Sequence, residues 1–203
     1  MHRLLRLDAA GLSEVEASLD VDLAVADSFL VEDGRVRSFE AHVERFRSGV
    51  AQVSPSELEL LPHLIELTRC LIPMDGRWFP RWELHANQDA GSRLHLRIRK
   101  APEQQGDAVL YTYDQPDPRV NPSIKGPDLA LGAELRNRAT ILGADEAVLL
   151  DAKGYLLEGA LSAIVWWRDD VLFAPNDELR WLDSITRREV MAIAGQMGIS
   201  TRT

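Results

Sequence analysis

The side chains best suited to covalent chemistry in this sequence are its lysines. The chain has 23 Lys and Arg residues, but only Lys100, Lys125 and Lys153 are lysines, so arginine supplies most of the positive charge. Lys153 lies in the turn DAKGY, and Lys100 ends a strand beside other cations. Lys125 lies in a proline-rich segment, where desolvation would let its amine lose a proton and form an imine with a carbonyl. Its position alone also fits an ordinary linker lysine.

Other common catalytic signatures are missing from the sequence. It contains no GxSxG elbow, P-loop or GxGxxG motif, and its five histidines show neither HExxH spacing nor adjacent carboxylate clusters. The single cysteine, Cys70, excludes an internal disulfide and a multi-cysteine zinc site. Hydrolase, NTPase and dinucleotide-binding functions therefore have no support, and we expect no metal site.

The composition is that of a globular protein that binds something small. Of its 203 residues, 45% are hydrophobic and 27% are charged, and a chain of this length needs no disulfide or metal to fold. The formal net charge of −9 disfavours nucleic acid or an anionic membrane as partner, because phosphate binding needs a basic face. Neither a membrane span nor the apolar core of a signal peptide is visible. We therefore expect a soluble, cytoplasmic protein.

Hydrophobic patterning predicts helices and strands in the first half of the chain. Two β-rich runs within residues 22–39 predict a hairpin. Apolar residues at helical spacing predict a helix that Ser38 is placed to cap, and a second helix over residues 56–71 with a kink or restart at Pro62. Three further strands are predicted, over residues 78–86, 93–101 and 108–114.

The second half begins after a segment with four prolines, residues 115–127, which predicts a stiff crossing between two domains. A helix over 128–143 follows, then strands over 146–175, then a helix over 185–197 capped by Asp183 or Ser184. The predicted class is α/β (α+β). The predicted domains are a small N-terminal α/β domain over residues 1–114 and a strand-rich C-terminal domain with packed helices over residues 128–203. The crossing between them is residues 115–127.

Residues 125–190 resemble the PLP-dependent class IV aminotransferase family, which includes branched-chain and D-amino-acid aminotransferases and aminodeoxychorismate lyase. The matching pieces include IK at 124–125, GADEAVLLDAKGYLLEGALSAI, FAP at 173–175 and SITRREVMAIAGQMGI. Upstream, GRVRSFEAHVERF resembles the family's H-x-x-R helix. The order and spacing of these pieces are much more specific than any one of them. The resemblance implies an enzyme of fold type IV, with pyridoxal 5'-phosphate (PLP) between its two halves.

The resemblance also assigns roles to side chains of this sequence. Lys125 would form the internal aldimine and then move the substrate α-proton as general base and acid. Glu158 would contact the pyridine nitrogen and keep the ring protonated, which makes it a better electron sink. The backbone amides of Ile185 and Thr186, the Thr186 hydroxyl and the Arg45 guanidinium would hold the phosphate. The alternative roles are simpler: Thr186 would only cap the helix, and Arg45 would be an ordinary arginine on the helix surface.

Further contacts are implied by the same resemblance. Ser162 and Ala163 correspond to cofactor-binding positions that follow the glutamate. Arg97 and Arg99 lie on a strand whose basic residues alternate with apolar ones, and by analogy they could hold the substrate carboxylate. It is equally consistent with the sequence that the two arginines are charges on the strand that face solvent and bind no substrate. His42, one turn before the phosphate-binding arginine, is expected to be structural.

The sequence departs from the family pattern at two positions near the cofactor. Leu129 replaces a frequent tyrosine and Ala163 a frequent asparagine, so polar groups around PLP are lost. Relatives usually continue for several dozen residues beyond the phosphate-binding helix, whereas this sequence ends at Thr203. The main interpretation is transfer of an amino group between an amino acid and a 2-oxo acid by a homodimer. The alternatives are a lyase that eliminates pyruvate from an aminodeoxychorismate-like substrate, and a catalytically degenerate binding protein.

Overall fold

The computed structural model describes residues 2–16 and 22–203 of the chain. They form two compact units, and both combine helices with sheets. Unit 1 comprises Met1–Gln104 with Lys125–Pro127, and unit 2 comprises Gln105–Ile124 with Asp128–Thr203. The domain boundaries inferred from the sequence stay a prediction. In the described ranges, no helix is both long and apolar enough to cross a membrane.

A five-stranded antiparallel sheet forms the centre of unit 1. Its strands are β1 (His2–Asp8), β2 (Gly11–Val15), β3 (Leu23–Ser28), β7 (Arg81–His85) and β8 (Leu94–Arg99), in the order β2-β1-β8-β7-β3. A smaller sheet contains β4 (Val31–Glu32), β5 (Arg35–Val36) and β6 (Arg77–Trp78). The predicted hairpin is confirmed, since β4 pairs with β5 through a turn in which Asp33 and Gly34 have positive φ. Strands β1 and β2 were not predicted.

Two helices pack on unit 1, α1 (Phe39–Val53) and α2 (Leu61–Leu71), joined by a 3-10 helix over Pro55–Leu60. Pro62 lies in the first turn of α2, where its missing N–H is not needed, so the predicted restart is confirmed. The predicted capping by Ser38 is wrong. Ser38 adopts a left-handed conformation with φ 52° and makes no side-chain bond to the helix.

The core of unit 1 places α1 directly on β3. Trp82 is fully buried among three phenylalanine rings, and its ring centre lies 4.7 Å from that of Phe29. A Cβ atom at Gly49 of α1 would lie 2.6 Å from a Val25 methyl carbon, closer than packing allows. The glycine therefore lets the helix lie close to the strand.

Unit 2 contains two three-stranded sheets and two helices. The first sheet has the order β11-β10-β9, with strands β9 (Leu110–Pro116), β10 (Glu146–Leu150) and β11 (Leu156–Gly159). The second has the order β12-β13-β14, with strands β12 (Trp166–Arg168), β13 (Val171–Phe173) and β14 (Ser200–Arg202). The helices are α3 (Leu129–Ile141) and α4 (Ile185–Gln196), both as predicted. Strand β14 was not predicted.

Small residues bring α3 close to the first sheet of unit 2. Leu135 and Ala139 of α3 pack in one buried cluster with Ala147 and Leu149 of β10. A Cβ atom at Gly132 would lie 2.7 Å from the carbonyl oxygen of Ala160, so glycine is needed where the helix crosses the end of β11. This packing fixes the backbone just after Glu158.

Candidate active site

The Lys125–Gly126 segment lies against strand β3 of unit 1. The carbonyl oxygen of Lys125 accepts a hydrogen bond from the Ala26 amide at 2.6 Å. Gly126 has φ 145°, and a Cβ atom there would lie 2.8 Å from Val25 Cα, so a larger residue could not approach the strand in this way. The Lys125 side chain is half-buried. The backbone of Lys125 is therefore held beside the strand residue that precedes Asp27.

A buried carboxylate, Asp27, joins β3 to helix α1. Its side chain is fully buried. The Arg45 Nε group donates to Asp27 Oδ2 at 2.6 Å, and His42 Nδ1 lies 2.7 Å from Oδ1. His42 and Arg45 are three residues apart in α1 and so share one face of the helix. The structure thus brings the predicted phosphate ligand and the predicted imine lysine to the same strand, and it gives His42 the structural role expected of it.

The basic face predicted on β8 contains a buried ion-pair network. Glu83 of β7 is fully buried and accepts hydrogen bonds from both Arg81 and Arg97. His85 Nε2 lies 2.8 Å from the second Glu83 oxygen. Although burial alone would raise the pKa of the Glu83 carboxyl, the bonds from His85 and Arg97 hold it well below its ordinary value. Arg97 therefore already has a carboxylate partner within the sheet.

Arg99 has a different environment on the same strand. Its Nε group donates to the Phe79 carbonyl at 3.1 Å, and it forms no ion pair with a carboxylate of the described residues. Burial and the neighbouring cations Arg81 and Arg97 lower the pKa of Arg99 to about 10. Of the two arginines predicted to bind substrate, Arg99 is the one whose surroundings favour an added anion.

Glu158, in strand β11 of unit 2, is held by an arginine that the sequence analysis missed. Its Oε1 atom accepts hydrogen bonds from Arg119 Nη1 at 2.7 Å and from the Leu182 amide at 2.9 Å. Arg119 in turn binds Asp117, with Nη2 donating to Oδ2 at 2.8 Å. The available signal was a pair of opposite charges, Asp117 and Arg119, on either side of Pro118, whose ring fixes the backbone φ between them.

The arrangement around Glu158 suits a contact with a ring nitrogen. Burial raises the pKa of the Glu158 carboxyl, and the charge of Arg119 opposes that shift. Both hydrogen bonds reach Oε1, and Oε2 accepts none from the part of the chain that the structure describes. One carboxylate oxygen is therefore suited to accept an N–H from a protonated pyridine ring.

Helix α4 begins at a side-chain cap. The Ser184 hydroxyl accepts a hydrogen bond from the Arg187 amide at 3.2 Å, so the predicted cap is Ser184. Ile185 is buried, and the Thr186 side chain is exposed. Because Ser184 caps the helix, capping does not account for Thr186. The amides of Ile185 and Thr186 lie in the first turn, at the end of the helix that favours anions.

The remaining predicted positions lie close to Glu158 in the chain. A tight turn follows β11, in which the Gly159 amide donates to the Ser162 carbonyl at 2.8 Å, and both Ser162 and Ala163 are exposed. Leu129 is the half-buried first residue of α3. Unit 1 thus carries Lys125, Arg45, Arg97 and Arg99, and unit 2 carries Glu158 and the other predicted cofactor positions. Within residues 2–16 and 22–203, no three His, Cys, Asp or Glu side chains are placed to hold a metal ion.

Comparison with known proteins identifies the family. The family model for class IV amino-transferases matches residues 24–203. The chain therefore belongs to the class IV aminotransferase family, as the resemblance predicted. A branched-chain-amino-acid aminotransferase of Escherichia coli is 30% identical over 109 residues, which are 51% of this chain and 34% of that protein. The segments matched in the first curated relatives span only 23% and 34% of those proteins.

Solved structures share the fold. A fold IV-transaminase from Curtobacterium pusillum superposes with a TM-score of 0.76 at 18% identity, covering 100% of this chain and 82% of that one. An aminotransferase from Brucella abortus, solved with PLP bound, gives 0.77 at 16% identity, covering 98% and 80%. The predicted α+β class and fold type IV are therefore confirmed.

Proposed function

We propose that this chain acts as a PLP-dependent aminotransferase, which moves an amino group from an amino acid to a 2-oxo acid. The observation that carries the proposal is the position of Lys125. Its backbone is fixed on β3 at Ala26, next to Asp27, whose carboxylate holds Arg45. A primary amine and a guanidinium are the two groups needed to attach an aldehyde and to bind a phosphate.

The residues named above fit the chemical groups of PLP. Lys125 would hold the cofactor covalently, Arg45 and the first amides of α4 would bind its phosphate, and Glu158 Oε2 would accept the pyridinium N–H. When bound, PLP supplies an aldehyde for the substrate amine and a cationic ring that withdraws electrons from the substrate Cα. The negative charge of Glu158 favours the protonated ring, and Arg119 helps to maintain that charge.

The chain's own residues would also bind the substrate and move its proton. The Lys125 amine is the general base that takes the proton from the substrate Cα and later returns a proton as an acid. Arg99 would bind the substrate carboxylate, because Arg97 is already paired with Glu83. Since the Escherichia coli relative is named a branched-chain-amino-acid aminotransferase, a branched-chain amino acid is the first donor to test. The homodimer and the cytoplasmic location stay predictions.

Borohydride reduction followed by peptide mapping tests the attachment site. The purified protein is incubated with PLP, reduced and digested, and the pyridoxyl group is located by mass spectrometry. We expect the label on Lys125 in the wild type and in a Lys153→Met control, and no label in Lys125→Met. Lys153 is a matched control because it is an exposed lysine in a turn. A label on Lys100 or Lys153, or no label, would refute the proposed role of Lys125.

A single-turnover experiment tests the reaction itself. The PLP-loaded protein is mixed with a branched-chain amino acid, and the 2-oxo acid is measured against the amount of protein. One equivalent of oxo acid from the wild type, with none from Lys125→Met, is the expected result. Release of ammonia together with the oxo acid over many turnovers, with no need for an acceptor, would contradict amino-group transfer.

A further inference from the structure

We infer that Asp27 is a positioning residue that orients Arg45 toward the cofactor phosphate, and so makes the site select a phosphorylated cofactor over an unphosphorylated one. This inference rests on the proposed function. It begins from a feature that the assigned roles do not use, a fully buried aspartate in β3. A buried carboxylate is costly unless it is paired, so its place in the strand needs an explanation.

Both oxygens of Asp27 have a partner from helix α1. Oδ2 accepts from Arg45 Nε at 2.6 Å, and Oδ1 lies 2.7 Å from His42 Nδ1. His42 is itself packed at a ring-centre distance of 5.7 Å from Phe29. The carboxylate is therefore held on both sides and cannot rotate away from Arg45 without breaking one of these bonds.

The bond at Nε decides how the Arg45 guanidinium is oriented. A guanidinium is planar, so a short bond from Nε to a fixed carboxylate oxygen sets its plane and direction. The edge formed by its two terminal nitrogens is the one that binds two phosphate oxygens side by side. The Arg45 side chain is largely buried, at 16% exposure, so an anion that reaches it is partly removed from water.

Strand β3 also connects this pair to the covalent attachment point. The residue before Asp27 is Ala26, whose amide binds the Lys125 carbonyl. In PLP the aldehyde and the phosphate-bearing arm are attached to neighbouring ring carbons, so the groups that hold them must lie near each other. Successive residues of one strand, Ala26 and Asp27, thus fix the backbone of the lysine and the direction of the arginine.

Binding of PLP and of pyridoxal, which lacks the phosphate, tests the inference. The dissociation constants of both compounds are measured for the wild type, Asp27→Asn, Arg45→Gln and the double variant. Asparagine keeps the shape of Asp27 but loses its charge, so we expect PLP binding to weaken about 10-fold, equivalent to part of one charge-assisted hydrogen bond. Pyridoxal binding should stay at the wild-type value. In the Arg45→Gln background the Asp27 change should have no further effect, because Asp27 acts on the phosphate only through Arg45.

Two controls keep the test decisive. Glu44→Gln removes an exposed carboxylate from the same helix and should leave both dissociation constants unchanged. Arg45→Lys keeps the positive charge but has no Nε–H and no planar fork. Its preference for PLP over pyridoxal should therefore be weaker than that of the wild type, and it serves as the second variant if Asp27→Asn does not fold.

The possible outcomes separate this inference from the proposed function. Three results would each overturn the positioning role of Asp27. They are equal weakening of PLP and pyridoxal binding in Asp27→Asn, unchanged or tighter PLP binding in Asp27→Asn, and wild-type selectivity for PLP over pyridoxal in Arg45→Lys. These results would leave the proposed function intact if wild-type PLP is still attached to Lys125. A wild-type protein that does not attach PLP at Lys125 would overturn both.

Discussion

At the scale of single residues, the candidate chemistry depends on how a buried carboxylate keeps its charge. Burial raises the pKa of Glu158 toward protonation, and the guanidinium of Arg119 acts against it. Arg119 is positioned for this by Asp117, which takes up the rest of its hydrogen-bonding edge. The three side chains form a chain of alternating charge, and the two terminal carboxylates compete for one cation.

The first prediction concerns this competition. Arg119→Gln removes the charge that lowers the pKa of Glu158, so the carboxyl should take up a proton at a higher pH than in the wild type. Transaminase activity should then fall as the pH is lowered through a range where the wild type is unaffected. Glu158→Gln, which is neutral at every pH, should lose activity at least ~100-fold, or about 3 kcal/mol in barrier, while still binding PLP. Activity against pH for both variants is the measurement.

Arg180→Gln is the control for this prediction, because Arg180 is exposed and binds only a backbone carbonyl among the described residues. Its pH profile should match that of the wild type. An Arg119→Gln profile that also matches the wild type would mean that Arg119 does not set the charge of Glu158.

The second prediction separates the two strand arginines. Arg99→Gln should raise the KM for the amino acid without weakening PLP binding, because Arg99 is the arginine without a carboxylate partner in the described residues. Arg97→Gln should instead destabilise the protein by about 1–3 kcal/mol, since the buried Glu83 loses one of its charged partners and keeps Arg81 and His85. Thermal melts together with steady-state kinetics distinguish the two effects. A raised KM in Arg97→Gln, together with lost stability in Arg99→Gln, would instead assign the binding of the substrate carboxylate to Arg97.

At the scale of elements, the position of the caps decides which residues are available to a ligand. The third prediction compares the hydroxyl of Ser184, which caps α4, with that of Thr186 in its first turn. Ser184→Ala removes the cap and should lower the free energy of unfolding by about 1 kcal/mol. Thr186→Ala should cost less stability and should weaken PLP affinity by about 0.5–1.5 kcal/mol, the usual contribution of a neutral hydrogen bond. Melts without cofactor and PLP titrations check both. Equal stability losses with unchanged PLP affinity would mean that Thr186 does not bind the phosphate.

The elements with strong local signals could be predicted from the sequence. Helices α1, α3 and α4 have regular spacing or end signals, and the turn at Asp33-Gly34 has residues that tolerate positive φ. Strand β1 was missed because its buried residues Leu4 and Leu5 are adjacent and break the alternation expected of a strand. Ser38 has the composition of a cap but a backbone conformation that cannot place its hydroxyl over the helix.

The polar partners of the site could not be predicted in the same way. Asp27 lies 18 residues before Arg45, and Arg119 lies 39 residues before Glu158. Such pairs depend on which strands and helices pack together, and the spacing of residues along the chain does not predict that packing. The resemblance supplied the positions of Lys125 and Glu158, whereas the carboxylates and the arginine that hold the site residues became visible only in the folded chain.

At the scale of the whole molecule, the two units use buried charge differently. Unit 2 has a short chain of alternating charges through Asp117, Arg119 and Glu158. Unit 1 has a broader network on one face of its sheet, where Glu83 is bound by two arginines and a histidine. His95, whose pKa is lowered, stacks on His85 at the edge of the unit 1 network. The stability of the chain should therefore depend on pH mainly through that face.

His95 is the group that should dominate this dependence. It lies on β8 and stacks on His85 with ring centres 3.8 Å apart, and its Nδ1 atom lies 3.0 Å from the Arg93 carbonyl. Burial, followed by the nearby His85, lowers the pKa of His95 to about 4. Arg6, from the neighbouring strand β1, also lowers this pKa, and Glu83 opposes the shift. In the folded chain His95 is therefore neutral across most of the range in which an exposed histidine becomes charged.

The fourth prediction follows from the sign of that shift. Between about pH 6.5 and pH 4 the unfolded chain binds a proton at His95 that the folded chain does not, so the free energy of unfolding should fall as the pH is lowered, by on the order of 2 kcal/mol. Glu83 should add a further loss below its ordinary pKa, because its folded pKa is lowered. His95→Asn keeps a donor for the Arg93 carbonyl but does not titrate, so it should flatten the dependence between pH 6.5 and pH 4. His63→Asn, at an exposed position of α2, should not. Denaturant unfolding from pH 7 to pH 4 measures these slopes, and equal slopes in the wild type and His95→Asn would contradict the neutral, buried state of His95.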